Sequence, residues 1–94
     1  MMVIGPETRE EWATFSRELG HRLRRARADS GLTQEQLVEL AGISLYAYQQ
    51  YERGAATKGG TPTNPRLATI LAICQVLDIG IDALLPEVPK LTTR

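Results

Sequence analysis

Gln49 and Gln50 are the side chains of this sequence best suited to recognition chemistry, with Leu45, Tyr46 and Arg53 close by. A primary carboxamide holds a donor and an acceptor side by side, which matches the N7/N6 edge of adenine in a DNA major groove. Leu45 and Tyr46 offer apolar surface to a thymine methyl, and the Tyr46 hydroxyl could reach a phosphate instead. No arginine falls between Leu45 and Tyr51, so a guanine-centred readout is not expected. Such chemistry needs its residues on one side of one element. With Tyr48 and Tyr51 taken as inward, the helical step of about 100° turns Tyr46, Gln49, Gln50 and Arg53 outward.

Other chemistries lack their residues. No nucleophile, base and orienting group occur together, so no catalytic residue is assigned and an enzyme is the weakest reading. One histidine and one cysteine cannot make a tetrahedral metal site, and no metal or cofactor is expected. His21 reads as a solvated neighbour of arginines and Cys74 as a small buried apolar residue. A lone cysteine closes no internal disulfide, which fits a reducing cytoplasm. No apolar run approaches the ~18 residues that cross a bilayer, so no membrane partner is expected. Eleven cations balance eleven acids, which argues against a non-specific basic coat for DNA. Local charge is another matter, because Arg22, Arg24, Arg25 and Arg27 are crowded together. That cluster reads equally as a solvated helix face.

The elements that must carry these residues are helical throughout. Ninety-four residues with 43% apolar and 5% aromatic content make one domain with a modest aliphatic core. Residues 1–7 read as a flexible arm. Thr8-Arg9-Glu10-Glu11 fits a capping box, and Trp12, Phe15, Leu19, Leu23 and Ala26 follow as the apolar stripe of a first helix ending near Ala28. Thr33 with Gln36 caps a second helix, with Leu37, Leu40 and Ala41 facing inward. Gly42 can take the left-handed backbone of a sharp turn, Ile43 plugs it, and Ser44 caps a third helix to Arg53. Residues 54–63 form a polar loop expected to be mobile. Asn64-Pro65 opens a fourth helix whose buried stripe is Leu67, Ile70, Leu71, Cys74 and Leu77. Gly80 starts a short fifth helix, stopped by Pro86. Residues 87–94 are left as a tail.

Two short helices hinged on a glycine, spanning 33–53, spell a helix-turn-helix within a domain of residues 8–86. The chain resembles the Cro/repressor-like, or Xre, helix-turn-helix family over about Leu19 to Leu85. The likeness is carried by Gly31-Leu32-Thr33-Gln34-Glu35-Gln36-Leu37, Ala41-Gly42-Ile43-Ser44, Glu52-Arg53-Gly54, Asn64-Pro65-Arg66-Leu67 and Ile81-Asp82-Ala83-Leu84-Leu85, in that order. Three features depart from the family: Val38 where a small residue is usual, tyrosines at the inward positions 48 and 51, and a longer loop after Gly54.

The resemblance implies an all-α, five-helix, lambda-repressor-like DNA-binding domain, here with an extended first helix. It implies that Leu45 points along the groove, that Gln50 reads bases, and that Arg27 and Glu52 form an internal ion pair. Phosphate contacts are expected from Arg24, Gln34, Ser44, Arg53 and Lys58, with the free N–H groups of two helix N-termini assisting. The function so implied is a sequence-specific transcriptional regulator of bacterial or phage type, cytoplasmic and nucleoid-associated. A repressor binding a pseudo-palindrome in double-stranded DNA as a homodimer is the preferred form. The alternatives are a DNA-binding antitoxin with a toxin as protein partner, and a protein-interaction module that has lost DNA binding.

Overall fold

The computed structural model describes residues 6–57 and 60–91, with side chains from residue 9 onward. Five helices follow one another: α1 (Pro6–Asp29), α2 (Gln34–Ala41), α3 (Leu45–Arg53), α4 (Leu67–Leu77) and α5 (Ile81–Leu84). No strand occurs among the described residues. The all-helical fold implied by the resemblance is the one observed.

Helix α1 begins at Pro6, so Thr8 lies inside the helix rather than capping it. Proline suits a first helical turn because its φ is already helical and its missing N–H would have had no partner there. Residues 6 and 7 therefore belong to the helix and not to an arm; residues 1–5 lie outside the described part. At ~1.5 Å per residue the 24-residue helix is ~36 Å long, most of the 41 Å long axis of the molecule.

The core draws side chains from all five helices. Leu19 and Leu23 of α1 meet Leu37 and Val38 of α2 and the ring of Tyr48 from α3. Ile70, Ile73, Cys74 and Leu77 close it from α4, with Leu84 of α5 at the end. Three expected inward positions are corrected. Leu40 is 66% exposed and Val38 takes its place, because α2 turns Leu37 and Val38 together toward α4. On α4, Leu67 and Leu71 are exposed and Ile73 is buried instead.

Helix α4 also starts later than Asn64-Pro65 predicts. Arg66, not Asn64, is its N-cap, with extended backbone and no side-chain capping bond. The chain reaches α4 from an anchored Thr63. The Thr63 N–H donates to the Gly54 carbonyl, and its own carbonyl accepts from Trp12 Nε1 (3.2 Å) and Ser16 Oγ (2.9 Å). The expectation of a wholly loose loop is thus corrected at its ends. Ala55 and Pro62 pair as an isolated antiparallel bridge, and the Ala56 N–H donates to the Thr61 carbonyl. Residues 58 and 59 lie outside the described part.

A candidate nucleic-acid interface

Thr33 holds an extended backbone, its Oγ1 accepts from the Gln36 N–H at 3.1 Å, and its own N–H donates to Gln36 Oε1 at 2.9 Å. Both halves of the capping box are therefore made. Gly42 ends α2 at φ 71°, ψ 36°, a region that costs a side-chain-bearing residue about 1–2 kcal/mol. Ser44 Oγ then accepts from the Ala47 N–H and starts α3. Pro86 holds Leu85 extended and ends α5, which packs on α1 and α4.

The outer side of α3 carries Tyr46, 71% exposed, with Gln49 and Arg53 also exposed. Tyr48 is fully buried and Tyr51 half-buried, so only one of the three tyrosines stands on that surface. Leu45 is half-buried against the core. Gln50 does not turn fully outward: it is half-buried, and its Nε2 lies 3.4 Å from the Ala56 carbonyl. Arg53 Nη1 donates to the same carbonyl at 2.9 Å. Residues three apart share a helix side, so one loop carbonyl draws both.

Beneath this surface lies Glu52, its side chain 2% exposed. Arg27 grips its carboxylate twice, Nε to Oε2 at 2.7 Å and Nη2 to Oε1 at 3.2 Å, and Arg27 Nη1 donates to the Leu32 carbonyl. Gln34 Nε2 donates to Glu52 Oε1 at 3.1 Å, and Arg24 Nε stands 3.5 Å from that oxygen. One carboxylate thereby joins α1, α2 and α3. Burial on its own pushes the Glu52 carboxyl upward, but hydrogen bonds from Arg27 and Gln34 outweigh it and hold the group below its ordinary range. The hydrogen bond to Glu52 raises Arg27 in turn. Burial drives the Tyr48 phenol far up, so it stays neutral.

The network reaches the surface through glutamines. Gln34 donates to Glu52 and accepts from Gln49 Nε2 at 3.3 Å, so the buried ion pair orients an exposed carboxamide. Gln34 is half-buried and its side chain is engaged within the protein, which leaves chiefly its backbone N–H for a phosphate. Ser44 is exposed with its hydroxyl serving the cap, and Arg24 is 62% exposed at the rim. Lys58 lies outside the described residues.

A family model described as a helix-turn-helix domain matches residues 18–88. The chain belongs to the helix-turn-helix family. Among solved structures it is similar to the restriction-modification controller protein C.AhdI from Aeromonas hydrophila. The two share 33% identity at a TM-score of 0.64, over 73% of this chain and 94% of that one. No curated protein matches. The match makes this a helix-turn-helix domain, with α2 and α3 as the two helices of the motif. The family match starts at residue 18, so the first three turns of α1 precede it.

Gly20 escaped the sequence reading. A Cβ there would stand 2.4 Å from the Glu52 carbonyl oxygen and 2.7 Å from that of Tyr51. Glycine inside a strongly apolar-striped helix is the signal that could have exposed this close crossing of α1 over α3.

Proposed function

We propose that the protein is a sequence-specific transcriptional regulator that binds a pseudo-palindromic operator as a homodimer, most simply as a repressor. The observation that carries this reading is the Glu52–Gln34–Gln49 relay. It holds an exposed carboxamide in a set orientation on the second helix of the motif, as direct readout of adenine requires. Tyr46 beside it supplies apolar surface for a thymine methyl. Gln50, held toward the loop, takes a base or phosphate at the far edge once released from Ala56. The similarity to a restriction-modification controller supports control of genes over a packaging role.

Dimerisation is supported by Leu67 and Leu71, one helical turn apart on α4 and 65% and 41% exposed. One recognition helix covers too little DNA to select a site alone, whereas two set about one turn (~34 Å) apart multiply the discrimination. Selection of bound fragments from random duplex DNA tests the whole reading. A two-fold symmetric consensus rich in A·T steps is expected. Recovery of unenriched sequence at low salt overturns it. Sedimentation of a Leu67→Glu, Leu71→Glu variant tests the dimer: a shift to monomer is expected, and an unchanged dimer rejects this surface.

A further inference from the structure

Helix α1 is divided lengthwise by charge. Glu11 and Glu18 face the C-terminal segment, where Glu11 Oε2 accepts from the Lys90 N–H and Glu18 pairs with Arg22. Arg9, Ala13 and Arg17, successive residues on one helical face, look the other way, toward the end of α3 and its loop. With Arg53, Gly54, Ala55, Gly60 and Pro62 they line an open pocket of about 500 Å³. Three arginines thus bound one concavity, with Glu10 the only carboxylate in its wall. Among the described residues none of the three has a carboxylate within ion-pair distance. Arg17 Nη2 meets only the Thr14 hydroxyl at 3.3 Å, and Arg53 Nη1 meets the Ala56 carbonyl.

We propose that this pocket seats a backbone phosphate of DNA just beyond the last turn of α3, contacted by Arg9, Arg17 and Arg53. The inference rests on the DNA-binding reading above and adds a contact from the part of α1 that precedes the family match. The pocket is held in register with α3 by backbone. A Cβ on Gly54 would lie 2.8 Å from Arg17 Cα, so α1 and the end of α3 touch without an intervening side chain. The carboxyl end of a helix carries partial negative charge and repels an anion, so a phosphate here depends on the arginines. Their planar guanidinium groups can chelate phosphate oxygens in pairs. A chain of zero net charge thereby presents a cationic strip to DNA while Glu11 and Glu18 lie on the opposite side of α1.

The test is the salt dependence of binding to a fluorescein-labelled, mixed-sequence duplex, read by anisotropy between ~50 and ~200 mM salt, because phosphate contacts are independent of sequence. Each lost contact lowers the slope of log K against log salt by about 0.9, so Arg17→Gln should lose about threefold less affinity across that range than the parent. Arg9→Gln with Arg17→Gln should lower it further, and Arg17→Lys should restore most of it. Arg25→Gln removes the same charge outside the pocket and should leave the slope at the parent value. Equal slopes for the parent and the Arg9, Arg17 pair, or an equal fall with Arg25→Gln, overturn the pocket while DNA binding stands. A parent protein that ignores the duplex overturns the DNA reading, and this inference with it.

Discussion

Glu52→Gln changes one atom and should unfasten three helices. The carboxylate receives two N–H groups from Arg27 and one from Gln34 with almost no access to water. A carboxamide keeps one acceptor but turns an N–H₂ toward the guanidinium, donor against donor. Arg27 is 17% exposed and rehydrates poorly, whereas Arg24 at 62% is already wet and loses little. Stranding one partner of a buried pair costs on the order of 3–5 kcal/mol, and the partial exposure of Arg27 points to the lower end, about 3 kcal/mol. In a domain of this size that is a fall in Tm of roughly 12–24 °C. Circular dichroism on heating and in urea measures it.

The same site sets a pH dependence. Glu52 lies below its unfolded value, so its stabilisation is complete above the ordinary carboxylate range and is lost as pH falls through the folded value. The gap between parent and variant should therefore narrow in acid. A cycle with Arg27→Met should show the pair of changes costing less than their sum. A Glu52→Gln protein within about 1 kcal/mol of the parent at neutral pH would refute the view that this ion pair ties the helices together.

Gln49→Ala should alter base preference in a random-DNA selection while moving the melt by less than about 0.5 kcal/mol, since an exposed residue supports little packing; an unchanged consensus removes Gln49 from the reading surface. Gly20→Ala should destabilise by about 1–3 kcal/mol and weaken DNA binding, because the new methyl must push α1 off the Glu52 carbonyl; a neutral melt would show that the helices can part freely. Replacing Ala56 to Thr61 with Asn-Gly should preserve the melt, because a two-residue turn can still join the paired Ala55 and Pro62. Loss of folding would show that the excised residues themselves are structural.

Local chemistry made much of this protein legible. Thr33, Gly42 and Ser44 act on backbone within four residues of themselves, so the helix-turn-helix can be drawn from their order, and the caps are made as drawn. The Arg27–Glu52 pair was implied only by resemblance, yet it is the centre of the site. The start of the long loop at Gly54 was read in that way, but its far boundary was not. Thr63 is held by Trp12 and Ser16, 51 and 47 residues earlier, and α4 starts only after it, with Leu67 and Leu71 at the surface.

What the sequence alone determined is the set of elements and the caps of α2 and α3, because hydrogen bonds within one turn and the helical repeat decide those. Which glutamine faces outward was left to the tertiary structure. Gln49 and Gln50 are chemically identical neighbours, and only the Ala56 carbonyl on one side and Gln34 on the other tell them apart. The tertiary structure likewise brought Arg9 and Arg17 to Arg53, across a contact that exists because Gly54 has no side chain. Periodicity states which residues share a face; what that face meets depends on how whole helices cross.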